Sequence, residues 1–251
     1  MNKDFSASIH KELLNEKKSL IPKYGQIFVG KKGFFRMAVY ELVNWFVTPM
    51  PGALGFFLRK VFYPLLFRKI GKGVVFGKNI TIRHPHKIEI GARTFIDDFA
   101  VLDAKGESNE GIRIGENAYI GRNTILSCKE GSIHIGDFCN ISANCTLLSE
   151  TEIRLGPYCF LAGNCYLVAG GNHSFDDLSV PIMLQPSVSK GGIRIGEDVW
   201  LAAGIIVLDG VSIERSSVVG AGSVVTASIP EFSMARGARQ MKIWNRRDQK
   251  P

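Results

Sequence analysis

Ile195, Leu201, Val207, Ile213, Val219 and Val225 recur at every sixth residue without a break. A period of six fits neither an α-helix, which repeats at about 3.6, nor a flat strand, which repeats at about 2, but it does accommodate a short strand plus a turn. The same spacing runs through Ile70, Phe76, Ile82 and Ile88; Ile90, Ile96 and Leu102; Ile114, Ile120 and Leu126; Ile135, Ile141 and Leu147; and Leu155, Leu161 and Leu167. Each restart of the phase follows a Gly- or charge-containing interruption where a loop can leave. An internal repeat of this kind is one supersecondary unit stacked on copies of itself. Gly follows the aliphatic at Ile90-Gly91, Ile114-Gly115, Ile120-Gly121, Ile135-Gly136 and Ile195-Gly196, and is expected there to turn a corner at positive φ. Four residues after each aliphatic comes a small or β-branched residue, such as Thr94, Ala118, Thr124, Val199 or Ser223. Three units would close one triangular coil of 18 residues, and coils would stack as parallel strands about 4.8 Å apart around an aliphatic core. The fold class expected is all-β, a parallel β-helix preceded by a short α-helical region.

Charge divides the chain into three expected parts. Residues 1–73 hold 13 Lys or Arg against 4 Asp or Glu, residues 74–230 hold 12 against 17, and residues 231–251 hold 6 against 2. The expected organisation is a basic, aromatic α-helical region at 1–69, the repeat domain at 70–230 and a basic tail at 231–251. With 45% hydrophobic residues most of the chain is not expected to be disordered, and the acidic body argues against nucleic acid as a partner. Five cysteines without a CxxC pair suggest neither a disulfide framework nor a zinc site. Cys139, Cys145, Cys159 and Cys165 take the small-residue position of the repeat and are read as packing residues. The first twenty residues are charged and lack the apolar core of a secretory signal, so a cytoplasmic location is expected.

The head is greasy as well as basic. Its longest charge-free piece, Leu42 to Leu58, has 17 residues interrupted by Asn44, Pro49 and Pro51, whereas a spanning helix wants about 20 apolar residues. Two short amphipathic helices joined at Pro49-Met50-Pro51 are expected instead. Arg59, Lys60, Arg68 and Lys69 lie among Phe56, Phe57, Phe62, Tyr63 and Phe67, the composition of a helix that rests on an anionic leaflet. Two readings stay open: peripheral membrane contact at the inner face of the cell membrane, or helices that only cap the repeat domain.

Six residues beyond Leu167, where another core aliphatic is due, stands His173. The segment from Gly170 to Gly192 is the longest departure from the pattern, and a consistent design that breaks at a titratable residue marks a candidate site. Imidazole is suited to general-base work near neutrality. The other histidines, His10, His84, His86 and His134, are expected on loops or surface faces.

The repeat resembles the hexapeptide-repeat acyltransferases over about residues 70–243, and the resemblance implies that the β-helix is left-handed. The His173 loop followed by Asp198-Val199-Trp200-Leu201-Ala202-Ala203-Gly204 is similar to the xenobiotic, galactoside and polysaccharide O-acetyltransferase branch. That resemblance implies an acetyl-CoA-dependent O-acetyltransferase acting on a sugar hydroxyl of a cell-surface polysaccharide or its lipid-linked precursor. His173 would be the general base for direct transfer, with no permanently bound cofactor and no metal. The amide at Ala203, with Gly204, would face the thioester, and Trp200 would wall the site. Asn172, Asp176 and Asp177 would orient the imidazole or meet the acceptor. Val219 to Thr226 looks like the family's coenzyme coil, with Ala221 and Thr226 along the pantetheine arm. The family's Ala-Gly-x-Pro-Ala-Lys/Arg segment is replaced by Ala235-Arg236-Gly237-Ala238-Arg239-Gln240-Met241-Lys242, which leaves Arg239 and Lys242 as candidates for the coenzyme phosphates. A homotrimer is implied, each site combining the His173 loop of one chain with the Trp200 coil of another. Three alternatives remain: a soluble small-molecule or nucleotide-sugar acetyltransferase, a non-catalytic scaffold, and a zinc hydratase. The last lacks a ligand pair downstream, since His173 is the last histidine.

Overall fold

The computed structural model describes residues 20–31 and 33–237. Within them, 22 short strands pair only in parallel and form three sheets of seven, eight and seven strands. Successive strands move from one sheet to the next, so the chain winds as a parallel β-helix with three flat faces. The first face starts at Lys69–Ile70, the second at Val75–Phe76 and the third at Thr81–Arg83.

Register turns the sixfold pattern into three aliphatic columns. Ile90, Ile114, Ile135, Leu155, Ile195 and Ile213 are successive partners on the first face. Ile96, Ile120, Ile141, Leu161, Leu201 and Val219 stack on the second, and Leu102, Leu126, Leu147, Leu167, Val207 and Val225 on the third. All of them are buried, so the interior is packed rather than hollow. Thr94, Ala118, Thr124, Val199, Ser223 and the four repeat cysteines fill the corners inside. Cys128 is buried too, and burial pushes its thiol up to about 12. The thiols of Cys139, Cys145, Cys159 and Cys165 lie against backbone carbonyls of the next coil, at 3.0, 3.2, 3.0 and 3.3 Å.

Two expectations about the coil are corrected. Only the Ile195-to-Ile213 coil has 18 residues; earlier coils carry extra residues, always at the corner between the third and first faces. These bulges are 84–87, 104–111, 129–131, 150–151 and 170–192. Nor do the glycines after the aliphatics make the turns. The left-handed residue comes two positions later, at Arg93, Asn117, Asn123, Phe138, Asn144, Asn164 and Asp198 among others, with Asn well represented because it tolerates that region. Gly91, Gly115 and Gly136 answer to stacking instead. A Cβ on Gly136 would lie 2.6 Å from the carbonyl carbon of Gly156 in the next coil, and one on Gly91 would lie 2.4 Å from that of Gly115.

The head is helical, in three pieces: α1, Leu20–Tyr24; α2, Phe34–Leu42; and α3, Gly52–Phe62. π-helical turns at Gly25–Val29 and Val43–Val47 extend the first two. The break between the second and third falls at residues 48–51, as the prolines predict. Val43, Val47, Tyr63 and Phe67 join the core beside Phe76. The Tyr40 hydroxyl donates to Ile82 O at 2.6 Å, the Asn79 amide to Thr48 O at 2.9 Å and the buried Arg59 Nε to Phe76 O at 3.0 Å. The helices thus cover the open end of the solenoid, a place where an exposed sheet edge would otherwise invite association. Among the described residues no helix is long and apolar enough to cross a membrane. His84 departs from its expected surface position: the cap folds over it, and its Nε2 bonds to Gln26 O at 2.9 Å in a buried site.

Candidate active site

The longest corner bulge, residues 170–192, is anchored at both feet by carboxylates. At the start, Glu150 Oε2 accepts from the Gly171 amide at 2.8 Å. Gly170, at φ +109°, lies so close to Glu150 that an added Cβ would approach its Cβ to 2.6 Å. At the return, the buried Asp209 accepts from the amides of Lys190 at 2.6 Å and Gly192 at 2.8 Å, and from Asn172 Nδ2 at 3.2 Å. Between the feet the two limbs pair antiparallel. His173 faces Ser187, the Val188 amide donates to Asn172 O at 2.6 Å, and the Ser174 amide to Pro186 O at 2.9 Å.

His173 is half-buried in this ribbon, and its Nδ1 lies 3.2 Å from Gln185 O. A carbonyl only accepts, so Nδ1 carries the proton and Nε2 is left with its lone pair. Gln185 is itself buried. Its Nε2 donates to Asp177 O at 2.7 Å and Val180 O at 2.9 Å, and its Oε1 accepts from the Asp177 amide at 3.3 Å. The side chain pins the loop tip to the limb whose carbonyl holds the histidine.

Of the two carboxylates suggested as orienters of the imidazole, Asp177 is bonded within the loop tip. Asp177 Oδ1 accepts from the hydroxyl of Ser179 at 2.6 Å and from its amide at 2.8 Å, and these bonds hold its carboxyl below the usual range. Asp176 Oδ2 accepts from Ser174 Oγ at 3.4 Å. Both are exposed on the loop within four residues of His173. Asn172 braces the loop through Asp209. Sequence reasoning passed over Gln185, Asp209 and Glu150; the paired glycines at 170–171 and 191–192 were the available sign that both feet are constrained.

Of the residues expected to meet the coenzyme, Ala203, Gly204 and Ala221 lie at the corner between the second and third faces, Trp200 lies on the second face, and Thr226 lies at the corner the His173 loop leaves from. Trp200 stands exposed on the second face and stacks on Phe160, ring centroids 6.4 Å apart and planes 7° off parallel. Ala203 and Gly204 form the turn between the second and third faces. Gly204, at φ +69°, has open space where a side chain would go, and Ala203 O accepts from the Gly222 amide at 2.9 Å. Ala221 and Gly222 repeat the turn one coil further on, and Thr226 follows the last third-face strand, Val224–Val225. All of these residues are exposed. Arg239 and Lys242 lie outside the described residues; Arg236 is described and exposed.

The feet of the His173 loop stand at the corner between the third and first faces, and Trp200 is on the second face. Among the described residues no hydrogen bond or ring contact joins His173 to Trp200, Ala203, Gly204, Ala221 or Thr226. A groove of about 790 Å³ runs along the first face past Glu89, Arg113, His134, Arg154 and Arg194. It contains none of the candidate site residues.

A family model described as the hexapeptide repeat of succinyl-transferase matches residues 111–149 and 192–227, which flank the loop. A probable acetyltransferase of Mycobacterium tuberculosis is 30% identical over 165 residues, covering 66% of this chain and 54% of that protein. The galactoside O-acetyltransferase of Lactococcus lactis is 35% identical over 130 residues, covering 49% of this chain and 58% of that protein. The chain thus spans little more than half the length of either relative. Among solved structures, a variant of AntD, an N-acyltransferase from Bacillus cereus in complex with dTDP and coenzyme A, is 24% identical. It superposes with a TM-score of 0.50 over 76% of this chain and 91% of that one, a likeness of fold.

Proposed function

We propose, from the match of a hexapeptide-repeat family model to residues 111–149 and 192–227 and the similarity of the chain to acetyltransferases, that it is an acetyl-CoA-dependent O-acetyltransferase. Its acceptor would be a sugar hydroxyl of a cell-surface polysaccharide or its lipid-linked precursor, modified in the cytoplasm. The observation that carries the reading is the Nδ1–H bond from His173 to the Gln185 carbonyl. It fixes the tautomer in which Nε2 is free to accept a proton, and it supports the imidazolium once formed.

In the proposed reaction Nε2 takes the proton of the acceptor hydroxyl as its oxygen attacks the thioester carbonyl. The tetrahedral intermediate collapses with cleavage of the C–S bond, and the imidazolium returns its proton to the departing thiolate. The products are a sugar acetyl ester and free coenzyme A. The Ala203 amide, on a turn with open space around Gly204, would donate to the oxyanion. Trp200 would wall the thioester, and Ala221 and Thr226 would line the pantetheine arm. Arg239 and Lys242 would meet its phosphates. Asp176 and Asp177, exposed beside the base, would accept from acceptor hydroxyls.

Trp200 lies on the second face, while the His173 loop leaves from the corner between the third and first faces, an arrangement that supports a site built from the loop of one copy and the Trp200 coil of another. A homotrimer with three shared sites fits that arrangement. His173→Ala is expected to lower acetyl transfer by about 1,000-fold with the thermal transition unchanged. An unaltered rate would remove His173 from the base role. Comparing the mass of the cell's surface glycan with and without active protein tests the acceptor, a shift of one acetyl group per repeat unit being the expected result.

A further inference from the structure

The α3 helix is built inside out. Its buried stripe is Gly55, Arg59 and Tyr63, and Arg59 is only 4% exposed. That guanidinium donates to the carbonyls of Phe76 at 3.0 Å, Met50 at 2.6 Å and Val47 at 3.4 Å. Leu54, Phe57, Val61 and Leu65 are spaced as one face of a helix, and they point away from the solenoid at 59%, 59%, 47% and 65% exposure. The segment before it does the same: Phe35, Leu42, Trp45 and Phe46 are exposed, Trp45 at 72%. The head therefore has two apolar sides. One caps the core through Val43, Val47 and Tyr63, and the other is exposed among the described residues. Eight large apolar residues exposed on two neighbouring helical segments, with aromatics foremost, are more than the scattered apolar residues an ordinary surface carries.

Charge names the occupant. Over residues 20–73 the sequence has nine Lys or Arg and a single acid, Glu41, whose carboxylate accepts from the Tyr24 hydroxyl. Arg36, Lys60 and Lys69 are exposed beside the apolar residues. A second copy of this cap would set one cationic rim without a compensating acid against another. A bilayer surface supplies both complements at once, acyl chains for Phe57 and Trp45 and anionic headgroups for Arg36 and Lys60.

We propose that the outer face of α2 and α3 seats the protein on an anionic lipid surface, lying in the interface without crossing it. The capping role and the membrane role are then two sides of the same helices. The proposal is independent of the proposed acetyl transfer, because transfer to a water-soluble acceptor and binding to vesicles are separate measurements.

The test is flotation of the full chain with phosphatidylcholine vesicles, with and without phosphatidylglycerol. The expected result is binding to the phosphatidylglycerol vesicles, weakened by added salt, and lowered at least about tenfold in the Trp45→Ser/Phe57→Ser variant. Both substitutions are on the surface, so the variant should keep its thermal transition. Arg36→Glu/Lys60→Glu should abolish the preference for phosphatidylglycerol. Failure of the unaltered protein to float, equal binding to both vesicle types, or full binding by the aromatic variant would each overturn the proposal. A fall in the lipid-free mass of the aromatic variant by light scattering would overturn it too, since the patch would then be a contact between copies.

Discussion

The Gln185 carbonyl receives the Nδ1 proton of His173, and a backbone acceptor of this kind is set in place by whatever holds its own residue. Here that is the Gln185 side chain, bonded to the carbonyls of Asp177 and Val180. Gln185→Ala removes those bonds without touching the imidazole or the aliphatic columns. Misplacing a base by about 1 Å costs up to about 100-fold in rate. We therefore expect kcat in the proposed reaction to fall about 10- to 100-fold for Gln185→Ala, with KM for acetyl-CoA and the melting temperature nearly unchanged. A fall in activity that tracks a fall in melting temperature would assign Gln185 a purely structural role. Asp209 and Glu150 act one step further out, by fixing where the loop starts and ends.

At the scale of the coil, two kinds of glycine look alike in sequence and differ in physics. Gly136 is at ordinary φ but has no room to grow, since its Cβ would enter the backbone of the next coil, 2.6 Å from the carbonyl carbon of Gly156. Gly73 is the reverse: φ is +76° and the nearest atom to an added Cβ is 3.7 Å away. Gly136→Ala should cost about 3 kcal/mol, as overpacking does, and Gly73→Ala about 1 kcal/mol, the penalty of a left-handed L-residue. Denaturant melts of the two variants check the order; equal costs would mean that the coils can part to admit a methyl. The same distinction explains why positive φ was expected at the wrong position. Glycine signals both conformational freedom and close approach, and only the register of neighbouring coils separates them.

For the molecule as a whole, the placing of the His173 loop at one corner and of Trp200 on the second face makes oligomeric state part of the proposed chemistry. A mass by light scattering three times that of one chain is expected. A sharper measurement mixes two inactive variants, His173→Ala and Ala203→Trp, under conditions that exchange subunits. If each site takes its loop from one copy and its corner from the next, random trimers should recover about a quarter of the unaltered activity. No recovery, with exchange verified, would place each site within a single chain.

The spacing of Ile195, Leu201, Val207 and their counterparts determined the parallel β-helix by itself, because a period of six leaves the chain no other regular way to bury every aliphatic. The break at His173 likewise marked the segment that leaves the repeat. Tertiary structure alone decided that Asp176 and Asp177 bond within the loop while the Gln185 carbonyl holds the imidazole, since a hydrogen-bond partner depends on how two limbs of a loop fold back on each other. It also decided that His84 is covered by the helical cap and that Arg59, rather than Leu54 or Phe57, is buried. Helical periodicity gives α3 its faces, but which face turns inward follows from the carbonyls of Phe76, Met50 and Val47 that the first coil and the preceding turn leave in need of a donor.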